Sequence, residues 1–157
     1  MKKIVATTFL VGFFSSAFAM DTKFYGGVSA AEIDNHSYTQ YTIGQNTGTK
    51  FDNNIFFAFA NGLSYGRVKS GVSATTVDLD LKLGYEFVEN LIGYGIGTGA
   101  IQFYDESTYT GLGYGAALEY RISQTVSVEG SYKTMNMSKS NHSYDYDTAN
   151  LGVKFGF

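Results

Sequence analysis

The sequence predicts an all-β fold, a transmembrane, eight-stranded antiparallel up-and-down β-barrel, from three observations. An export signal opens the chain, apolar and polar residues alternate with a period of two, and polar turn segments recur at equal spacing. The composition agrees, because 19 Gly, 13 Tyr and 13 Phe among 157 residues favour strands and tight turns over helices. The chain contains no Cys, which excludes a disulfide scaffold, a Cys-ligated metal site and a thiol nucleophile.

Residues 1–19 have the pattern of a secretory signal peptide that is cleaved after Ala19. Two lysines precede an apolar run over residues 4–14, and Ala17 and Ala19 match the small-residue cleavage pattern. A transmembrane anchor is the alternative, but the run is too short to cross a bilayer. Cleavage leaves residues 20–157 as the barrel domain, with nine basic and fourteen acidic residues. This net negative charge provides no electrostatic reason to expect nucleic acid as a partner.

The strands are identified by strict alternation along three segments. Over residues 77–87, 112–122 and 151–157, large apolar residues alternate with Gly or with charged residues. Successive side chains of a strand point to opposite faces, so each segment has one apolar and one polar face. Two further segments are less regular, because Gln45 and Asn61 interrupt apolar registers. We therefore expect a bulge or a different register in the second and third strands.

Polar turn segments divide the chain into four units of about 35 residues. The turns are centred on Asn53, Glu89 and Gln124, and each unit is long enough for two strands and a polar tip. The tips are predicted at residues 34–36, 70–71, 105–108 and 139–141. Four such units produce eight strands.

The apolar face is predicted to face lipid and the polar face to line the lumen. Open sheet edges cannot be satisfied in hydrocarbon, so the sheet must close. In this interpretation the glycines of residues 93–99 line the lumen, as do Gly84, Gly113 and Gly115, while Ile92, Tyr94 and Ile96 face lipid. A secreted, soluble barrel with a ligand cavity is the alternative. The predicted lumen polar network consists of Asp78, Asp80, Lys82, Glu86, Glu119, Arg121, Glu129, Lys133 and Lys154.

Two short motifs carry a resemblance to a known family. The strand ending Leu83-Gly84-Tyr85-Glu86-Phe87 and the C-terminal Gly152-Val153-Lys154-Phe155-Gly156-Phe157 resemble those of small bacterial outer-membrane β-barrel proteins, the OmpA/OmpX-like, porin-family group. The resemblance implies a location in the outer membrane of a Gram-negative cell, in contact with lipid and lipopolysaccharide. It also implies that the terminal Phe157 is the signal read by the outer-membrane assembly machinery.

The charges of the lumen network nearly balance, which favours mutual pairing and a lumen plugged by the polar network. An eight-stranded barrel is only wide enough for its own side chains, so a structural role is expected. A small porin that passes ions or small solutes is the alternative. Steady single-channel conductance would identify a pore.

The tips are rich in tyrosine, which offers rigid contact area to a host or surface ligand. A solvated rim that faces lipopolysaccharide is the alternative. The outer tip residues singled out are His36, Tyr38, Tyr104, Tyr109, His142, Tyr144 and Tyr146.

The two histidines also suggest two further hypotheses, a metal site and a catalytic site. Both belong to a repeated Asn-His-Ser-Tyr segment near Asp34, Asp145 and Asp147, but two histidines without a fixed third ligand are a weak zinc signal. A lipid-modifying enzyme would need a serine, a base and an orienting group together, and the sequence does not place them together. We expect no metal site, no cofactor and no enzymatic activity.

Overall fold

The computed structural model describes residues 21–33, 35–140 and 142–156, and these form a closed barrel of eight antiparallel strands. The predicted fold class is confirmed. The predicted signal peptide lies outside the described residues. Within these ranges, no helix is long and apolar enough to cross a membrane. The strands are β1 (Asp21–Ile33), β2 (His36–Lys50), β3 (Ile55–Lys69), β4 (Val72–Val88), β5 (Leu91–Tyr104), β6 (Ser107–Arg121), β7 (Val126–Lys139) and β8 (His142–Gly156), with a short 3₁₀ turn at Asp52–Asn54 between β2 and β3.

Each strand pairs with its neighbours along the chain, and β8 closes the sheet by pairing with β1 from Lys23↔Gly156 to Ile33↔Tyr146. Because the strand number is even, the start of β1 and the end of β8 lie at one end of the barrel, which we call the terminal end. The opposite end, with the tips after β1, β3, β5 and β7, is the tip end. At every tip, two residues separate the end of one strand from the start of the next.

The turn residues explain how the strands reverse so sharply. Asp105 and Glu106, between β5 and β6, have φ values of 48° and 58°, and Gly71 has a φ of 79°. Positive φ at the central positions matches the right-handed twist of the flanking strands in a two-residue hairpin. Asn35 and Asn90 also have positive φ, as expected of Asn, which tolerates this region better than most residues.

The barrel is inside-out relative to a soluble protein, as the alternation predicted. Leu79, Leu81 and Leu83 of β4 point outward and are exposed, while Asp80 and Lys82 between them are buried in the lumen. Outward aromatic side chains surround the terminal end, at Phe24, Phe51, Tyr85, Phe87, Tyr120 and Phe155. An apolar band with aromatic residues at its edge is the surface that lipid requires.

The face assigned to β5 is wrong. Ile92, Tyr94 and Ile96 are buried in the lumen, whereas the glycines of residues 93–99 face outward. Cross-strand partners share a face, and Gly95 pairs with the outward Leu83. A lumen-facing glycine on β4, Gly84, leaves the room that the Tyr94 ring occupies. The bulky side chains of β5 therefore fill the lumen, while Gly84, Gly113 and Gly115 line it as predicted.

The expected irregularity of β2 and β3 is also wrong. The two strands pair without interruption from Gln40↔Gly66 to Lys50↔Phe56. The register shifts lie beside turns instead, between Arg67 and Lys69 and between Glu86 and Val88.

Tyr25 explains why β2 and β3 need no bulge. Its ring crosses the lumen face at Gly44, and its hydroxyl donates to the backbone carbonyl of Asn61 at 3.2 Å. Gln45 and Asn61 remain outward-facing and lie directly opposite each other. The two amide side chains are therefore cross-strand neighbours on the outer face, and β2 and β3 pair there without a register shift.

Candidate functional site

The lumen contains a chain of four charged side chains from four different strands, which we call the lumen ladder. Glu129 of β7 accepts from Lys82 of β4 at 2.7 Å and from Lys154 of β8 at 2.5 Å. Lys154 also donates to Glu119 of β6 at 2.7 Å. All four side chains are nearly inaccessible, so each charge depends on the others for compensation.

A second ionic cluster lies closer to the tip end. Lys133 of β7 reaches across the lumen to β4, where it forms ion pairs with Asp78 and with Asp80, the latter at 3.1 Å. A cavity of about 40 Å³ lies beside this cluster, and Asp78 Oδ1 has no hydrogen-bond partner among the described residues. Such a volume holds only about three water molecules.

The other two members of the predicted network lie at the terminal end and are not part of either cluster. Glu86 accepts from Lys50 at 2.6 Å, in a pair that is partly exposed. The Arg121 guanidinium lies 4.5 Å from the centre of the Phe56 ring, a cation–π arrangement. The structure thus divides the nine predicted residues into the ladder, the Lys133 cluster and two residues near the rim.

Neutral hydrogen bonds form the next layer toward the tips. Tyr146 donates to Gln40 at 2.8 Å, and Tyr144 donates to Gln102 at 2.5 Å. The Gln102 amide in turn donates to Thr76 at 2.7 Å. Buried amides need such partners, because an unpaired buried polar group costs about 1–3 kcal/mol.

The tip tyrosines do not form an outward contact surface. Tyr38, Tyr109, Tyr144 and Tyr146 are all buried, and Tyr104 packs against them half-buried. Their rings pack with Ile33, Val68, Met135 and Met137 and with the alanines of the neighbouring strands; we call this group the tip cluster. The reason is parity: these tyrosines lie an even number of positions from lumen-facing residues of their own strands, so they point inward. The expectation that the tip tyrosines offer contact area to a ligand is wrong at these four positions.

The two histidines lie at the tip end of the barrel. His36 and His142 are both exposed, and the His142 ring lies 6.1 Å from that of Tyr109. Among the described residues, no group of three His, Cys, Asp or Glu side chains is arranged to hold a metal ion. Asp34, considered with these histidines, and the predicted assembly signal Phe157 lie outside the described residues.

At the terminal end the lumen widens into a vestibule of about 540 Å³. Its lining includes Lys23, Asn46, Phe56, Tyr94 and Arg121. The sequence pattern did not single out four further residues of the lumen, although each lies in a strand. These are Lys23, Tyr25, Gln40 and Gln102. The alternation of Lys23 and Tyr25 with Phe24 and Gly26 was the available signal for β1.

The outward apolar band and the charged lumen define the class of protein: a β-barrel that spans a membrane. The chain belongs to the outer membrane protein beta-barrel domain family, whose model matches residues 5–157. It is therefore a bacterial outer-membrane β-barrel. No curated relative matches the chain in sequence.

Several solved structures share the fold. Neisserial surface protein A aligns with a TM-score of 0.60 at 12% identity, over 88% of this chain and 97% of that protein. Ail, the attachment invasion locus protein of Yersinia pestis, in complex with the heparin analogue sucrose octasulfate, aligns with a TM-score of 0.56 at 16% identity, over 88% and 97% of the two chains. The N-terminal barrel domain of Pseudomonas aeruginosa OprF aligns with a TM-score of 0.50 at 18% identity, over 87% and 98%. At these identities the similarity establishes the fold.

Proposed function

We propose that the barrel is a non-conducting outer-membrane protein with a structural and surface-interaction role. The observation that carries this proposal is the sequence of layers inside it. The lumen ladder, the Lys133 cluster, the Gln40 and Gln102 layer and the tip cluster follow one another from the terminal end to the tips. Between them the cavity of about 40 Å³ has room for isolated water but not for a hydrated ion in transit.

Planar-bilayer recording tests the closed lumen. Purified, folded protein should insert without a steady, reproducible conductance step, because ion passage would require both the ladder and the tip cluster to open. A large porin in the same bilayer is the positive control. A reproducible unitary conductance would reject the plug and establish the alternative, a small porin, whose supporting observation is the wide vestibule at the terminal end.

The exposed tip end supports the surface-interaction part of the proposal. With the tyrosines buried inside, the outward groups near the β3–β4 tip are basic: Arg67 and Lys69 are both exposed. The similar fold of Ail was solved with a sulfated sugar, and a basic pair suits a polyanionic ligand such as a sulfated glycan or lipopolysaccharide phosphate.

Sucrose octasulfate provides a direct test of this surface. Binding to the folded protein in detergent should weaken at least several-fold in an Arg67→Gln, Lys69→Gln double variant and should fall with added salt. Lys50→Gln, at the opposite end, is the matched control and should bind as the unaltered protein does. Equal binding by all three would reject a ligand site at the β3–β4 tip.

We also propose that the barrel is not an enzyme and that assembly depends on the C-terminal residue. Lipid A from an overexpressing strain should have an unaltered mass spectrum.

Replacing Phe157 with Ala should lower the amount of folded barrel in outer membranes, while the purified variant still folds in detergent. Normal membrane levels of that variant would reject Phe157 as the assembly signal.

A further inference from the structure

The vestibule at the terminal end has the size of a small-molecule site. Its volume of about 540 Å³ lies inside the range of roughly 300–1,000 Å³ that is typical of ligand pockets. It is the wide part of the lumen, on the opposite side of the ladder from the tip cluster. Nothing in the proposed surface role uses it.

One buried cation in the vestibule has no ionic partner among the residues that the structure describes. Lys23 is only 5% exposed and lines the vestibule, yet it forms no ion pair with any described residue. The two described lysines that are as deeply buried, Lys82 and Lys154, each pair with carboxylates, as does the less buried Lys133. Buried charges are normally paired or bind an ion, so the Lys23 ammonium is available to an anion that enters the vestibule.

Two more polar side chains of the vestibule each have one buried atom without a hydrogen-bond partner among the described residues. Arg121 stacks on Phe56, and its buried Nε has no hydrogen-bond partner among the described residues. Asn46 is 8% exposed, and its Oδ1 is likewise buried without a described partner. Asn46 lies directly opposite Lys23 in the register of β1 and β2, so an orphan acceptor and an unpaired cation are neighbours on one wall.

The wall beside these groups is built from small side chains. Gly48 pairs with Ala58, and a Cβ atom at Gly48 would lie 2.9 Å from that of Ala58. Neither residue carries a bulky side chain into the vestibule, and the rings of Phe56 and Tyr94 also line it.

The remaining charges around the vestibule are compensated or peripheral. Glu119 is paired with Lys154, and Lys50 is paired with Glu86. Asp21 is exposed at the start of β1. Lys23 and Arg121 are left as two cations that form no ion pair within the part of the chain that the structure describes.

We propose that this vestibule binds a phosphate group, held between Lys23 and Arg121. A phosphate monoester carries up to two negative charges, which would neutralise both cations. The hydroxyl of a hydrogen phosphate dianion, or a hydroxyl on the molecule that bears a phosphate ester, would donate to Asn46 Oδ1. The same chemistry occurs in soluble phosphates and in the headgroups of phospholipids, so the test separates the two sources.

Titration calorimetry of the folded protein in a non-ionic detergent tests the site. Inorganic phosphate is the soluble probe, and a short-chain phosphatidic acid below its micelle concentration is the lipid probe. Saturable binding of phosphate assigns the site to soluble phosphates, and binding of the lipid alone assigns it to a headgroup. Both results support the proposal, and the absence of saturable binding of either probe overturns it.

Two variants and a control identify the residues. Lys23→Gln removes the cation, and Asn46→Asp keeps the side-chain shape but supplies Lys23 with an internal carboxylate that repels phosphate. Each should bind at least tenfold more weakly, and Asn46→Asp should also be more heat-stable because it pairs the buried lysine. Lys139→Gln, an exposed lysine at the end of β7, should bind like the unaltered protein. If either folded vestibule variant binds normally, the phosphate site is rejected, whatever the result at the tip end.

Discussion

Glu129 connects the lumen ladder, since each of its carboxylate oxygens accepts a hydrogen bond from a different lysine. Lys82 and Lys154 also face the ring of Tyr94, at 5.9 and 5.8 Å from its centre. Lys82 therefore depends on one carboxylate and one aromatic face, whereas Lys154 has Glu119 as a second carboxylate partner. At the scale of single residues, we therefore expect the largest contributions to stability from a group such as Glu129, which neutralises two buried lysines.

Replacing Glu129 with Gln should destabilise the barrel strongly. The change leaves Lys82 without its only ion-pair partner among the described residues, and breaking a buried pair costs about 3–5 kcal/mol. Urea unfolding in detergent, followed by circular dichroism because the chain contains no Trp, measures the loss in free energy of unfolding.

Glu86→Gln is the matched control for this prediction. It removes the same kind of carboxylate from a pair whose lysine is 46% exposed, and such pairs contribute about 0–1 kcal/mol. Equal losses for the two variants would contradict the idea that the ladder stabilises the lumen.

For the individual strands, the sequence predicts which residues face the lumen where charged residues alternate with apolar ones, and does not predict it where they are absent. In β4 the alternation of Asp78, Asp80 and Lys82 with leucines assigns each face, because a charge cannot face hydrocarbon cheaply. In β5 the alternation is between glycines and large apolar residues, and both can face either lipid or a filled lumen. The face of β5 was decided by its neighbours, Leu83 outside and the Gly84 gap inside.

Alanine at two glycines tests the corrected faces. A Cβ atom at the outward Gly97 would meet nothing within 4 Å, so Gly97→Ala should be neutral or should stabilise by about 0.4–1 kcal/mol. A Cβ atom at the inward Gly113 would overlap the backbone oxygen of Thr134 and the side chain of Met135. Gly113→Ala should therefore cost about 1–3 kcal/mol.

The same urea unfolding assay compares the two alanine variants. Since the substitution is identical, the difference between them reports the environment rather than the intrinsic preference of alanine. A larger loss at Gly97 than at Gly113 would contradict the assigned orientation of β5 or β6.

For the whole molecule, closure makes the barrel one cooperative unit. The pairing of β8 with β1 satisfies both would-be sheet edges along eleven residue pairs. Residues from the two ends of the chain also meet inside, since Asn150 donates to Ser29 at 2.7 Å. No strand can leave without exposing backbone groups to hydrocarbon on both of its neighbours.

The closed barrel should therefore show heat-modifiable gel mobility. Unheated protein in dodecyl sulfate should migrate as a compact band, and boiled protein should migrate more slowly at the mass of the unfolded chain. Truncation of β8 before Leu151 is the control, because it removes part of the closing strand and should abolish the compact band. Identical mobility of heated and unheated full-length protein would argue against a closed barrel.

Alternation and turn spacing were sufficient to predict eight strands, their order and the outward apolar face, because both are local properties of the chain. The nine lumen charges were also found from alternation, since charge and strand parity together define a face. The partners of those charges were decided only by the tertiary structure. Lys82 and Glu129 are 47 residues apart, and only the curvature of the closed sheet brings them together. The inward tyrosines and the face of β5 were likewise decided by closure, because a narrow lumen must be filled by whichever large side chains point into it.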